Sequence, residues 1–188
     1  MGESRHCHRH SDEIRRSWQN QEEILANVGL KSGMIFVDIG CGYGFFSIPA
    51  AKVVGPGGKV ICIDIDRESI RMLRNLAEAE GLENVETIVG RAEETIPCEG
   101  CADIVFFGIV LHDFQDPYKV LDNARRMLKP SGILVNLDWK KEEMDIGPPV
   151  SIRFDEKTAS DMISSQGFEV LNISRSGKYH YIITAMKN

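Results

Sequence analysis

The chain lacks an apolar run of the ~20 residues that cross a bilayer, and its N-terminus lacks the apolar core of a signal peptide. It also lacks an excess of basic charge, because 22 Lys and Arg residues face 28 Asp and Glu residues, for a net charge of −6. This balance disfavours a long phosphate backbone as a partner. We therefore expect a cytoplasmic protein that acts on a small molecule, without a membrane or a nucleic acid as partner, and a homodimer is left open.

Cysteines are few. The five present are an odd number, and some lie in apolar strand contexts, as Cys62 does, which indicates reduced thiols and not a disulfide framework. Metal-ligating residue types occur in two places, a terminal cluster and a C-x-x-C, and they are His6, Cys7, His8, His10, Cys98 and Cys101. A single C-x-x-C without a second pair is weak, and terminal histidines are often only solvated. We expect no metal site.

Glycine is concentrated in residues 34–51, MIFVDIGCGYGFFSIPAA, which the pattern predicts to be a strand, a glycine-rich turn and an apolar helix. Such a turn presents bare backbone amides at the N-terminus of a helix, where the helix dipole favours a polar or anionic group. The sequence therefore predicts that a ligand's polar end lies against this turn. The alternative is a βαβ turn that binds nothing.

The spacing of the glycines helps to choose the ligand. A dinucleotide fingerprint needs its third glycine at position 45, where this chain has Phe45, and the glycines fall instead at 40, 42 and 44. Asp38, just before them, favours a cationic amino group over a pyrophosphate. Asp64 follows Gly44 by 20 positions and is placed to accept hydrogen bonds from ribose hydroxyls. A ribose joined to an amino acid describes S-adenosylmethionine.

With these residues the sequence resembles the class I S-adenosylmethionine-dependent methyltransferases, in particular the small ubiquinone and menaquinone biosynthesis type. The segments VDIGCGYG, VICIDID, LHDFQDPYKVLDNARRMLKPSGIL and GFEVLNISRSGKYHYIITAMK occur in the order that this family uses. The resemblance covers nearly the whole chain. It implies that the turn and the end of the next strand bind the cofactor, through Asp38, Gly40, Cys41, Gly42, Gly44, Asp64 and Ile65.

The fold expected is α/β: a doubly wound, Rossmann-like, mostly parallel sheet of seven strands with helices on both faces and one antiparallel strand. The resemblance implies the strand order 3-2-1-4-5-7-6. We expect a single domain over residues 1–188, with a sheet core over 30–188 and an N-terminal lid region over 1–29 that contains a helix at about 12–28. Trp18 and Gln19 are the lid candidates over the cofactor. The alternative is a helix that only packs its Trp on the sheet.

The loop after the third predicted strand departs from the family pattern. The family has Gly-Asp-Ala there, with an acid that reaches the adenine amino group, whereas this chain has Arg91 in the place of the acid. Arg91, the amide of Ala92 and the carboxylate of Glu93 are therefore the candidates for the adenine side of the site. Arg91 as a solvated surface charge is the alternative.

The fourth strand, predicted at residues 103–107, ends beside the glycine turn, where ligands of such sheets bind. Gly108 is expected to border the methionine moiety, and His112 or Asp113 is the candidate base for an uncharged hydroxyl or amine acceptor, whereas a soft nucleophile would need none. His112 as a packed or capping side chain is the alternative. A loop at residues 140–153 is predicted to be mobile and to carry acceptor specificity.

The function expected is methyl transfer from S-adenosylmethionine to a small-molecule acceptor by direct displacement, which leaves S-adenosylhomocysteine as product. Two alternatives stay open at this point. One is a non-catalytic protein that binds S-adenosylmethionine, and the other is a nicotinamide-dependent oxidoreductase, which fits the fold but not Asp38 or Phe45.

Overall fold

The computed structural model describes residues 15–188, which build one seven-stranded sheet. The strands are β1 Ile35–Ile39, β2 Lys59–Asp64, β3 Val85–Val89, β4 Ala102–Gly108, β5 Leu128–Trp139, β6 Phe168–Ser176 and β7 His180–Lys187. Their order in the sheet is β3-β2-β1-β4-β5-β7-β6. Strand β7 is antiparallel to both of its neighbours, and the other pairings are parallel. The predicted topology is therefore confirmed.

Helices cover both faces of this sheet. They are α1 Gln21–Asn27, α2 Ser47–Val54, α3 Arg67–Ala79, α4 Pro117–Met127 and α5 Glu156–Ser165, with short 3-10 turns at Leu111–Asp113 and Val150–Ile152. Helices α1 to α3 pack on one face and α4 and α5 on the other. No helix within residues 15–188 has the length and apolar composition that a membrane span requires.

The central strands supply side chains to both cores. On β4, Val105 and Phe107 lie in the core under α4 and α5, whereas Ile104 and Phe106 lie in the core under α1 to α3. Alternation of side chains along a strand produces this division, and a strand buried on both faces must be apolar throughout. Ligands of such a sheet bind beyond the carboxyl ends of its strands, here the ends of β1, β2, β4 and β5.

The predicted helix at 12–28 is wrong in its extent. Residues 15 and 16 are helical, residues 17–20 are not, and α1 begins only at Gln21. Asn20 is the reason, because its side chain caps α1 by accepting a hydrogen bond from the Glu23 amide at 3.2 Å. The cap residue is extended, with ψ of 101°, so a helix cannot run through it. On α3, Leu76 is 42% exposed, whereas the neighbouring Ala77 is buried.

The prediction that all cysteines are reduced is wrong for one pair. Cys98 and Cys101 form a disulfide, with Cα atoms 5.9 Å apart in the loop before β4. The bond engages both sulfur atoms that a metal site in the C-x-x-C would use. Cys41 and Cys62 are buried free thiols. The terminal cluster His6, Cys7, His8 and His10 lies outside the described residues.

Candidate active site

The turn after β1 is fixed by close backbone packing at two of its glycines. Gly40 has φ of +71°, and a Cβ atom there would lie 2.5 Å from Val110 Cγ2. Gly44 has φ of +90°, and a Cβ atom there would lie 2.3 Å from Leu73 Cδ1 of α3. Both positions therefore require glycine for conformation and for space. Gly44 packs against α3, and its expected place beside the ligand stays a prediction.

Two adjoining cavities open at the carboxyl ends of the strands. The first, of about 360 Å³, is called the aromatic cavity and is lined by Arg15, Trp18, Asp38, Gly40, Cys41, Gly42, Tyr43, Phe45, Phe46, Gly108, Ile109, Val110, Asp113 and Trp139. The second, of about 370 Å³, is called the polar cavity and is lined by Gly40, Ile63, Asp64, Ile65, Gly90, Arg91, Ala92, Glu93, Val110, Asp113, Phe114 and Gln115. Gly40, Val110 and Asp113 line both and form their boundary.

The predicted site residues divide between these cavities. Asp38, Cys41, Gly42, Gly108 and Trp18 line the aromatic cavity. Asp64, Ile65, Arg91, Ala92 and Glu93 line the polar cavity, whereas Gly40 and Asp113 line both. Three predicted residues, Gly44, Gln19 and His112, line neither. Gln19 is buried and accepts a hydrogen bond from Arg15 Nε at 2.7 Å, so its side chain fixes residues 15–19 and does not face the cavity.

Asp38 is a buried carboxyl at the back of the aromatic cavity. It is 2% exposed and accepts a hydrogen bond from Ser47 Oγ at 2.5 Å. Burial raises its pKa from 3.8 to about 7, although the Ser47 hydrogen bond and the charge of Arg15 act in the opposite direction. A cationic group bound nearby would stabilise the ionised form, which fits an amino-acid end of the ligand.

Asp64 ties the glycine turn to β2. Its Oδ2 accepts from the Gly42 amide at 2.8 Å, and its Oδ1 accepts from the Asp66 amide at 2.9 Å. Each carboxylate oxygen can accept a further hydrogen bond, so these contacts leave capacity for a ligand's hydroxyls. Asp64 therefore shapes the turn as well as facing the polar cavity.

The loop after β3 is held by direct hydrogen bonds from Asn123, a residue distant in the sequence that the sequence analysis did not single out. Asn123 is 1% exposed on α4, and its Nδ2 donates to the carbonyls of Ala92 and Glu93, each at 2.9 Å. Arg91 points along the loop, with Nη2 at 3.0 Å from Gln115 Oε1 and 3.6 Å from the Glu93 carboxylate. The sequence does place Asn123 on the apolar face of an amphipathic helix, and a polar side chain there indicates a buried hydrogen bond.

Behind the boundary of the cavities, a hydrogen bond between His112 and Asp138 joins the 3-10 turn after β4 to the end of β5. His112 Nδ1 is 2.7 Å from Asp138 Oδ1, and both side chains are almost fully buried. His112 Nε2 is 3.4 Å from Asp113 Oδ1. Asp138, near the end of β5, is not among the residues that the sequence analysis singled out. A carboxylate at the carboxyl end of a buried strand is the sequence feature that points to Asp138.

The backbone is strained at Ile109, where β4 opens into the site. Ile109 has φ of +65° and lines the aromatic cavity. A β-branched residue in the left-handed region is a genuine outlier, and such strain clusters at functional sites. Its amide donates to the Leu137 carbonyl at 2.7 Å, which holds the conformation in place.

Trp18 stands at the outer wall of the aromatic cavity. Its ring stacks on His180 with centroids 5.1 Å apart, and it lies 5.6 Å from the ring of Trp139. His180 is fully buried, and neither of its ring nitrogens has a hydrogen-bond partner among residues 15–188. Burial, together with nearby cationic side chains, lowers the pKa of His180 to about 3, so the ring is neutral. The wall is therefore aromatic and uncharged at this point.

The loop between β5 and α5 is organised by Arg153. This residue is 2% exposed, and its guanidinium makes five hydrogen bonds with loop carbonyls. The carbonyls belong to Lys140, Glu142, Ile146 and Pro148. Gly147 of the same loop packs on Trp139, since a Cβ atom there would lie 3.0 Å from the indole ring. The loop expected to be mobile is thus tied to one buried cation and supports the cavity wall.

Comparison with known proteins identifies relatives of the whole sheet. A family model described as "Methyltransferase domain" matches residues 30–182. The demethylmenaquinone methyltransferase of Geobacillus stearothermophilus is 30% identical over 125 residues, which cover 66% of this chain and 53% of the relative. The chain thus spans about half the length of the curated relatives it matches.

Solved structures extend the comparison to the fold. A SAM-dependent methyltransferase from Aquifex aeolicus matches with a TM-score of 0.89 and 32% identity, and the match covers 93% of each chain. The geranyl diphosphate C-methyltransferase of Streptomyces coelicolor, solved with Mg²⁺, geranyl diphosphate and S-adenosylhomocysteine, matches with a TM-score of 0.74 at 15% identity. That match covers 89% of this chain and 80% of the other, and it shows a shared fold alone.

Proposed function

The chain belongs to the methyltransferase-domain family, and we propose that it transfers the methyl group of S-adenosylmethionine to a small acceptor bound in the aromatic cavity. The observation that carries this proposal is the pair of adjoining cavities with a shared boundary at Gly40, Val110 and Asp113. One cavity offers polar groups for a nucleoside, and the other offers a buried carboxyl and aromatic walls. A donor that spans both would present its reactive centre at the boundary.

The residues present fit the two ends of S-adenosylmethionine. In the polar cavity, the Asp64 carboxylate is the acceptor for ribose hydroxyls, and Ile65, which is 61% exposed, offers an apolar surface for a base. Ala92 and Glu93, held by Asn123, are the candidates for the adenine edge. In the aromatic cavity, Asp38 is the partner of the amino group. The amides of Gly40 and Cys41 donate to the Ile63 carbonyl and that of Gly42 donates to Asp64, so the turn offers the ligand its shape and not the bare amides expected from the sequence.

The sulfonium supplies an excellent leaving group, so the reaction forms a bond from the acceptor to the methyl carbon while the methyl–sulfur bond breaks and its electron pair stays on sulfur. The protein's part is to align the two molecules and to exclude water. Alignment of this kind is worth up to roughly 7 to 11 kcal/mol of the barrier. Asp113 is the titratable group that faces both cavities, and its carboxylate is the candidate to receive a proton from an acceptor hydroxyl or amine.

The walls of the aromatic cavity favour an acceptor with a flat, apolar ring. Trp18, Phe45, Phe46 and Trp139 line this cavity, with the Arg15 guanidinium 4.0 Å from the centre of the Phe45 ring, and aromatic groups pack favourably on such surfaces. The similar enzyme from Geobacillus stearothermophilus is, by its name, a demethylmenaquinone methyltransferase, which agrees with a ring acceptor. A cytoplasmic location and a homodimer stay predictions of the sequence.

Calorimetric titration with S-adenosylmethionine, S-adenosylhomocysteine and NAD⁺ tests the donor site, and incubation with hydroxylated aromatic acceptors tests catalysis. We expect both sulfur ligands to bind and NAD⁺ not to bind. A methylated acceptor, detected by mass spectrometry, separates an enzyme from a protein that only binds the donor. Binding of NAD⁺ with no binding of either sulfur ligand would contradict the proposal. Within residues 15–188 no feature favours a nicotinamide, and Phe45, where a third glycine would be needed, is buried.

A further inference from the structure

Three side chains form a line that ends at the boundary of the two cavities. Asp138 lies deepest, with 1% of its side chain exposed, and His112 lies next, with 3% exposed. Asp113 is 58% exposed and is the member of the line that faces both cavities. His112 therefore contacts a carboxylate through each ring nitrogen, at 2.7 Å and 3.4 Å, and does not itself face the ligand site.

We propose that Asp138 is a positioning residue that acts through His112 to fix the carboxylate of Asp113 at the boundary of the cavities. The inference rests on the proposed function only in taking the cavities to be the donor site. Its consequence is a negative charge held beside the position where the donor carries a sulfonium and the product carries a neutral thioether.

The electrostatics of His112 agree with this arrangement. Burial alone would lower the pKa of His112, and Arg153 acts in the same direction. The hydrogen bond and the charge of Asp138, helped by the charge of Asp113, outweigh them and raise the pKa above its usual value. A protonated imidazole donates a hydrogen bond to Asp138 through Nδ1 and forms an ion pair with Asp113 at 3.4 Å from Nε2. Tyr181, opposite Asp138 on β7, donates its hydroxyl to the Phe154 carbonyl at 3.3 Å.

The geometry also explains why an exposed aspartate would hold one position. A surface carboxylate that makes only weak contacts samples several rotamers, and its mean field at any one point is small. His112 lies in a 3-10 turn with Asp113, and its ring is anchored to β5 by Asp138. The imidazolium therefore gives Asp113 a partner of fixed position. Without Asp138 the ring would lose its anchor and the main source of its charge.

The first test is the protonation of His112, followed by NMR of the imidazole carbons. The chain has five histidines, and the His112→Gln variant assigns the resonance. We expect Asp138→Asn to lower the proton affinity of His112 by about tenfold or more, which is one pH unit in its titration. Asp103→Asn is the matched control, because Asp103 is a half-buried carboxylate at the opposite end of the sheet, bound to Lys129. An unchanged titration of His112 in Asp138→Asn would overturn the proposal.

The second test measures the ratio of affinities for S-adenosylmethionine and S-adenosylhomocysteine by calorimetry and needs no acceptor. We expect Asp113→Asn to lower the preference for the charged ligand by roughly threefold to tenfold, the range for a partly screened charge pair. Asp138→Asn should reproduce part of that change. In the double variant, Asp138→Asn should add nothing to Asp113→Asn, since both changes act on one charge.

Additive effects in the double variant, or an unchanged ratio in Asp113→Asn, would refute the positioning role. If Asp138→Asn does not fold, His112→Gln breaks the same line at its centre and must lower the ratio as Asp113→Asn does. Failure of the wild-type protein to bind either ligand would refute the proposed function instead. The titration of His112 would still decide whether Asp138 acts through it.

Discussion

The buried carboxyl of Asp38 should make the protein less stable and its ligand more tightly bound. The test is Asp38→Asn, which keeps the shape of the side chain but cannot ionise. It also keeps an oxygen that can accept from Ser47 Oγ, which lies 2.5 Å from Asp38 Oδ2 in the wild type. Because the pKa of Asp38 is raised from 3.8 to about 7, the folded protein binds a proton more tightly than the unfolded chain does. The contribution of Asp38 to stability is therefore fully present below about pH 4 and is lost as pH rises to about 7 and above.

The magnitude follows from the two pKa values. At 1.36 kcal/mol per pH unit, a rise from 3.8 to about 7 costs about 4 kcal/mol of unfolding free energy once the group is ionised. Asp38→Asn removes this cost and its pH dependence. The amide nitrogen that it introduces adds a penalty that is the same at every pH. We therefore compare the difference in unfolding free energy between the variant and the wild type at pH 8 with the same difference at pH 4.

Urea unfolding followed by circular dichroism gives both differences, and calorimetry with S-adenosylhomocysteine gives the affinity. We expect the variant to gain up to about 4 kcal/mol relative to the wild type between pH 4 and pH 8. At pH 8 it should bind the ligand roughly tenfold to a hundredfold more weakly, the loss for one charge-assisted hydrogen bond. A stability difference that is the same at both pH values would refute the burial argument. Unchanged affinity would remove Asp38 from the ligand site.

Three further outcomes are expected. Asp64→Ala should cost about 1 to 3 kcal/mol of unfolding free energy in urea, because the Gly42 and Asp66 amides lose their acceptor; full stability would show that these bonds are unimportant. The chain has two tryptophans, so emission that changes on binding of S-adenosylhomocysteine should persist in Trp139→Phe and vanish in Trp18→Phe if Trp18 closes on the ligand. Arg153→Lys should speed hydrogen exchange in residues 140–149 but not in β1, since one ammonium cannot replace a guanidinium bound to four carbonyls; equal exchange would contradict its organising role.

The parts of the molecule that could be predicted are those with local signals. Helices α3, α4 and α5 each follow an aspartate whose side chain caps the first turn, namely Asp66, Asp116 and Asp155, and such caps are visible in the sequence. The glycine spacing and Asp64 led to the two cavities, because a turn after β1 and the end of β2 must meet at one edge of a parallel sheet. The order of the strands came from the resemblance to a family and not from periodicity.

The parts that could not be predicted depend on contacts between distant segments. Asn123 holds a loop some 30 residues earlier in the chain, and Asp138 meets a histidine 26 residues before it. No spacing within one element indicates such a pair, since it arises only when helices and strands pack. The break at Asn20 was missed for a local reason. Trp18 falls at a helical spacing among the apolar residues, and the capping side chain of Asn20 was not weighed against it.

The three carboxylates of the site show how the fold prepares it before any ligand arrives. Asp38 is held by Ser47 of α2, Asp64 by the amides of the glycine turn and of Asp66, and Asp113 by His112. These contacts fix the positions of the three carboxyl groups, although Asp38, with its pKa raised to about 7, gains its full negative charge at neutral pH only when a cation binds beside it. Fixed charges need no reorganisation when a cation binds, which is the condition under which electrostatic stabilisation is strongest. The donor loses its positive charge when the methyl group leaves, and the same carboxylates then hold the product less tightly. Because salt screens exposed charges, the preference for S-adenosylmethionine over S-adenosylhomocysteine should fall as ionic strength rises, most of all through the half-exposed Asp113.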